Sequence, residues 1–126
     1  MLFRSDSAAF RYKDTKAGSH TVTASDASPA NGATGLADDT LAATIDPGAA
    51  DPTTTTISAS PTSVSVDTGS SDITVQAKDA YGNDLTTGGD TVTLSADHGT
   101  LGSTTPTDNT DGTYTTTLSE IGRAHV

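Results

Sequence analysis

Strict two-residue alternation over residues 73–94, ITVQAKDAYGNDLTTGGDTVTL, constrains this chain more than any other feature. Ile73, Val75 and Ala77 alternate with Thr74, Gln76 and Lys78, and Val92 and Leu94 alternate with Thr91, Thr93 and Ser95. Successive side chains of a strand point to opposite faces, so the pattern predicts two strands, each with one face in a core and one in water. Between them Tyr81-Gly82-Asn83-Asp84 and Gly88-Gly89 tolerate positive φ or bond their own backbone, so residues 79–90 read as a loop. Elsewhere Thr is abundant, and Gly, Asp, Ser and Pro interrupt every window long enough for an amphipathic helix. What remains is short strands between turn signals, the signature of a β-sandwich or barrel. A chain of 126 residues accommodates one small domain and is too short for two complete ones.

Charge and composition exclude several functions. The formal net charge is −10, with sixteen acids against six Lys and Arg, and all the acids but Glu120 are Asp. Such a surface repels phosphate backbones and anionic lipids, so nucleic-acid binding is disfavoured. Without Cys the chain has no disulfide framework, thiol nucleophile or Cys-based metal site. No apolar run approaches the ~20 residues of a membrane span, and the sequence shows no signal peptide, so direct membrane insertion of this segment is not expected.

The two ends read as foreign to the protein. ATC GGA AGA GCA CAC GTC encodes residues 121–126, IGRAHV, and matches a widely used sequencing adapter; the reverse complement contains GTG CTC TTC CGA TCT, which with GTG as the start codon reads MLFRS, the sequence of residues 1–5. Residues 1–5 and 120–126 are therefore expected to be adapter-derived, leaving a biological segment cut arbitrarily from a longer reading frame.

In chain order, Ala8, Phe10 and Tyr12 alternate with polar neighbours as a short strand, and residues 14–19 turn. His20, Val22 and Ala24 form a second strand, residues 25–39 a loop rich in Ser, Asn, Gly and Pro, and Leu41, Ala43 and Ile45 a third. Pro47 and Pro52 make residues 47–53 a linker. Ile57 and Ala59 then alternate up to Pro61, with Val64 and Val66 resuming the strand, as fits an edge strand that changes partner. Asp111-Gly112 leads into Tyr114, Thr116 and Leu118, a strong turn-then-strand signal.

With these motifs in order, TISASPTSVSVDTGSSDITVQAKDAYGND, GGDTVTLSADHGTL and TDNTDGTYTTTLS, the stretch 55–119 resembles a bacterial immunoglobulin-like repeat of the invasin/intimin type, of the third invasin domain class. YKDTKAGSHTVTASD resembles the closing strands of a preceding repeat. The resemblance implies an all-β, immunoglobulin-like β-sandwich that is incomplete: residues 6–46 would hold strands F and G of one repeat, 47–53 the linker, and 54–119 strands A to E of the next. Residues 8–12 then correspond to 113–118, a repeat of about 105 residues against the ~100 of an immunoglobulin-like domain. Whether residues 6–46 dock to complete the 54–119 sandwich stays open: eight extended linker residues reach ~28 Å, and strands of 5–6 residues span ~17–20 Å.

No residue set points to catalysis. His20 and His98 lie in different pieces without the three or four convergent ligands of a zinc site. Asp108, Asn109 and Asp111 before Gly112 lack the spacing and the later Glu of a calcium loop and read as an Asx-type turn. Asp46 and Asp51 flank the linker and are the calcium candidates, since acids at repeat junctions can hold that ion. Tyr12 and Tyr114 are expected in the core. No cofactor is implied. The resemblance implies a non-catalytic spacer of a cell-surface or secreted adhesin-like protein, extracellular, with neighbouring repeats as its partners. The alternatives are direct binding of a host-surface or matrix ligand through residues 79–90 or 97–106, and an accessory domain of a secreted polysaccharide-degrading enzyme.

Overall fold

A computed structural model describes residues 9, 11–24 and 39–120. Residues 1–5 and 121–126 of the two adapter-like ends, Ala8 and Phe10 of the first expected strand, and most of the loop at 25–39 lie outside the described residues. The chain separates into two compact units, Met1–Asp46 and Pro47–Val126.

In the first unit β1 (Gly18–Ala24) and β2 (Asp39–Ile45) pair antiparallel, with Val22 opposite Leu41 and His20 opposite Ala43. The alternation anticipated for both strands places Val22, Leu41, Ala43 and Ile45 on one face and Ser19, Thr21, Thr23, Thr40 and Thr44 on the other. Leu41 is 66% exposed. Tyr12 corrects an expectation, for it is exposed and outside any strand. Its hydroxyl bonds Asp14 Oδ2 at 2.9 Å and its ring lies 5.8 Å from that of His20, so its phenol serves the 14–19 turn instead of a core.

The second unit is built on β3 (Thr56–Ser60), β4 (Ser70–Gln76), β5 (Thr100–Leu101), β6 (Thr107–Asp108) and β7 (Thr113–Ser119). The order is β3-β4-β7-β5, with β6 also on β7, and every pairing is antiparallel. Reading β3, β4, β7 and the β5/β6 pair as strands A, B, E and D, this is the A-B-E-D sheet of an immunoglobulin sandwich. The fold is all-β and immunoglobulin-like, incomplete as a sandwich, and the described residues contain no helix.

The register builds the core. Ile73 pairs with Ala59 and Thr116, and Val75 pairs with Ile57 and Tyr114, so one face of the sheet collects the apolar side chains while Thr74, Thr115 and Thr117 take the other. Ile73, Val75, Ala77, Leu85 and Tyr114 are buried, and the half-buried Val92 and Leu94 pack against the cluster of Val75, Ala77, Leu85 and Tyr114. A fully buried Val, Leu or Ile side chain contributes ~1.5–3 kcal/mol, so a core of three such residues with Ala77 and Tyr114 is small and leaves little margin. Tyr114, 1% exposed, is its largest fully buried member. Its hydroxyl accepts the Asp90 N–H at 2.9 Å, fixing the start of the 90–94 segment over the sheet.

Two expected strands are not realised. Val92 and Leu94 face the core as the alternation requires, yet residues 91–96 belong to no ladder. A strand needs a neighbour, and among the described residues only the Leu94 N–H to Thr104 carbonyl bond, 2.7 Å, supplies one. Val64 and Val66 do not resume β3. The Gly69 N–H bonds the Ser65 carbonyl at 2.9 Å and Asp67 sits at φ 77°, so residues 61–69 reverse the chain with backbone groups a strand would have used. β3 does lie on the sheet edge, as Pro61 at its end implies.

Candidate functional site

The most densely bonded polar site forms where β4 runs out. After Gln76 the chain leaves the sheet through Ala77, and Asp79, 3% exposed, turns its carboxylate inward. Its Oδ1 accepts the N–H groups of Tyr81 and Asn83, each at 2.9 Å. The Asn83 side-chain amide donates to both oxygens, at 3.1 and 2.9 Å. The Asp79 N–H bonds the Asn83 carbonyl and the Gly82 N–H bonds the Asp79 carbonyl, both at 2.9 Å, closing a tight turn. Gly82 has φ 83°, a conformation that costs a residue with a Cβ. The motif Lys78-Asp79-x-x-Gly82-Asn83 is therefore one device: an acid gathers the loop's donors, a glycine permits the bend, and an amide locks it. Lys78 pairs with Asp84 across the mouth, an exposed ion pair worth ~0–1 kcal/mol.

The same carboxylate reaches beyond its own loop. Oδ2 accepts the Gly48 N–H at 2.9 Å, thirty-one residues upstream. Ala50 bridges to Asp79, the Asp51 N–H bonds the Lys78 carbonyl at 2.7 Å, Thr54 Oγ1 donates to the Asp79 carbonyl at 2.7 Å, and Thr55 Oγ1 accepts the Lys78 N–H at 3.2 Å. Residues 47–55, which take in the linker expected over 47–53, are thus fastened to the 78–84 turn. Four bonds and a bridge oppose the conformational entropy of a short connector. The chemistry of these bonds is mechanical, a carboxylate holding backbone.

Electrostatics follow from these bonds. The Asn83 side-chain amide, then the Gly48 N–H, hold the Asp79 carboxyl down to about 2 from the usual 3.8, against the opposing effect of burial. Asp51 is also lowered, by the Thr53 hydroxyl and N–H, which bond its Oδ1 at 2.6 and 2.8 Å. Asp111 is lowered in the same way by Thr113.

The residues singled out from sequence fall as follows. Asp46 is exposed, and Asp51 uses an oxygen on Thr53; among the described residues no group of three or more His, Asp or Glu comes together as a metal would need. Asp108 accepts the Thr110 and Gly89 N–H groups at 2.8 Å, and Asp111 accepts the Thr113 N–H at 2.9 Å, so both are spent on turns. His20 Nε2 lies 3.0 Å from the Lys16 carbonyl, and His98 is exposed beside Asp97. Asp79 and Asn83 were not singled out: with fifteen Asp residues in the chain, nothing but the fixed KDxxGN spacing distinguishes the one that organises a turn.

Comparison with known proteins bears on this geometry. The family model described as invasin, domain 3, matches residues 51–126, from the fastened connector through the whole A-B-E-D sheet. The chain belongs to the invasin domain 3 family. No curated protein and no solved structure matches. Within this invasin-type domain the matched region takes in Asp51, the KDxxGN turn and the DGTY turn, at each of which an Asp carboxylate organises the backbone. No helix among the described residues is long and apolar enough to cross a membrane.

Proposed function

We propose that this domain is a non-catalytic spacer repeat of a bacterial cell-surface or secreted adhesin-like protein, carrying load between neighbouring repeats. The observation that carries the reading is the fastening of residues 47–55 to the 78–84 turn through Asp79. A spacer must transmit orientation from one repeat to the next, and a connector bonded along its length does so where a free one does not. Membership in the invasin domain 3 family supports an extracellular setting. A Cys-free, Asp-rich surface suits exposure to solvent without reliance on disulfides.

Extending the coding sequence outward tests the reading: a tandem array of such repeats supports it, and a catalytic domain directly abutting residue 119 refutes it. Small-angle scattering of two consecutive repeats should give an elongated particle of defined length. A second reading, direct ligand binding through residues 79–90, draws on one observation, Tyr81 standing 68% exposed on the turn. Glycan and matrix-protein arrays probed with a complete repeat and its Tyr81→Ala variant separate the two.

A further inference from the structure

Of the five prolines, Pro29, Pro61 and Pro106 follow Ser or Thr, whereas Pro47 and Pro52, the two in the connector, follow Asp. An Asp–Pro peptide bond holds the means of its own scission. The side-chain carboxylate can close on its own main-chain carbonyl carbon through a small ring, an intramolecular attack that proximity favours. Proline's tertiary amide nitrogen is more basic than an ordinary amide nitrogen, so once protonated it leaves as a secondary amine. Having no N–H, it also cannot divert the carboxyl into a succinimide.

The fold treats the two bonds differently. The Asp51 carboxylate is committed, its Oδ1 accepting the Thr53 N–H at 2.8 Å and the Thr53 hydroxyl at 2.6 Å. The backbone on either side is held as well, the Asp51 N–H on the Lys78 carbonyl at 2.7 Å and the Asp51 carbonyl by the Thr55 N–H at 3.1 Å. Donors on that carbonyl polarise the target, but the group that would attack it is tied to Thr53. Asp46 is the opposite case. It is exposed and outside any ladder, and its carboxylate makes no hydrogen bond or ion pair to another described residue. The chain is held at Ile45, the last residue of β2, and again at Gly48 on Asp79 Oδ2, which leaves the 46–47 bond unheld between them. The division between the two compact units falls at this same bond.

The charged groups around the connector do not engage Asp46. Asp14 is occupied by the Tyr12 hydroxyl and lies 3.6 Å from His20, Lys16 forms no ion pair among the described residues, Asp79 holds Gly48, and Lys78 pairs with Asp84. The Asp46 carboxylate is therefore free to turn onto its own carbonyl.

We propose that Asp46–Pro47 is a self-processing junction, at which mild acid lets the Asp46 carboxylate cut the bond that follows it, while the fold protects Asp51–Pro52. A side-chain oxygen of Asp46 bonds to the main-chain carbonyl carbon and the C–N bond to Pro47 breaks. The electron pair of that bond stays on the nitrogen, which takes its proton from the medium. One water then opens the cyclic anhydride left on Asp46 to its side-chain carboxyl and a new α-carboxyl. The sum is hydrolysis of one peptide bond, with water and a proton as the only co-reactants.

The test is intact-mass spectrometry of the full chain held at about pH 4.5, above the range in which Asp79 loses its charge, with samples taken over days. Fragments 1–46 and 47–126 should accumulate at least roughly tenfold faster than 1–51 and 52–126. In guanidinium at the same pH, where the Thr53 bonds are gone, the two rates should converge. Asp46→Ala should abolish the first cut and leave the far-UV circular dichroism unchanged, since the side chain is exposed and unbonded. Thr53→Ala, which removes one of the two donors on Asp51, should speed the second cut in the folded chain. Equal rates at the two bonds in the folded chain, cutting after residue 46 that survives D46A, or a 46–47 bond cut only in guanidinium would each overturn the proposal.

Discussion

Tyr114 joins the two features that hold the second unit together, and its replacement separates them. The ring is 1% exposed against Val75, Ala77 and Leu85, and the hydroxyl accepts the Asp90 N–H at 2.9 Å. Tyr114→Phe keeps the ring and strips the acceptor, leaving a half-buried donor unpaired, which costs about 0.5–1.5 kcal/mol. For a unit of this size each kcal/mol moves the melting temperature by about 4–8 °C, so the expected loss is roughly 2–12 °C. Tyr114→Ala also empties the core and costs about 3–5 kcal/mol. A small single core supplies no more than about 3–5 kcal/mol in all, so the second unit should be largely unfolded at 25 °C. Thermal melts by far-UV circular dichroism at low protein concentration read both values, and amide exchange at Asp90 reads the hydrogen bond itself. If Tyr114→Phe melts with the parent and Asp90 exchanges no faster, the hydroxyl does not hold the 90–94 segment. If Tyr114→Ala stays cooperatively folded with a loss below ~1 kcal/mol, the core is not where the register puts it.

Acid should destabilise the second unit in a defined window. Asp79 titrates at about 2 in the folded state against 3.8 when free, so its contribution is complete above about pH 4 and is lost as pH falls toward 2, the unfolded carboxylate taking up its proton first. Melting temperatures from pH 5 to pH 2 should show that decline, and Asp79→Asn should make it shallower. Gly112→Ala places a Cβ 2.0 Å from the Leu85 carbonyl oxygen at φ 88°, so it should cost more than about 1 kcal/mol in denaturant unfolding, whereas Gly82→Ala, at φ 83° with open space around it, should cost less. Addition of calcium, or of a chelator, should leave the melting temperature unchanged, since Asp51 already uses an oxygen on Thr53 and Asp46 stands exposed.

Much of this architecture was legible in the residues because alternation reports which way a side chain faces. Ile73, Val75 and Ala77 are buried, and Tyr114 with Leu118 lies on the same inner face, as their spacing implied. Alternation does not report whether a neighbouring strand exists. Val92 and Leu94 therefore face inward without a ladder, and Val64 and Val66 alternate as a continuation of β3 would, although a left-handed Asp67 turns the chain there. The site was less legible. Pro47 and Pro52 mark a connector whether it is free or fastened, and the acceptor that fastens it lies thirty-one residues beyond Gly48. Tyr81-Gly82-Asn83-Asp84 marked residues 79–90 as a loop without identifying Asp79 as the residue that serves two segments.

The fastened connector is most directly tested by nitrogen-15 relaxation at the amides of Gly48, Asp51 and Thr55 in the parent chain and in Asp79→Ala. Order parameters near 0.85, level with those of β4 and falling in the variant, are the expected result. Values below about 0.6 in the parent, or no change on removing the carboxylate, would contradict it.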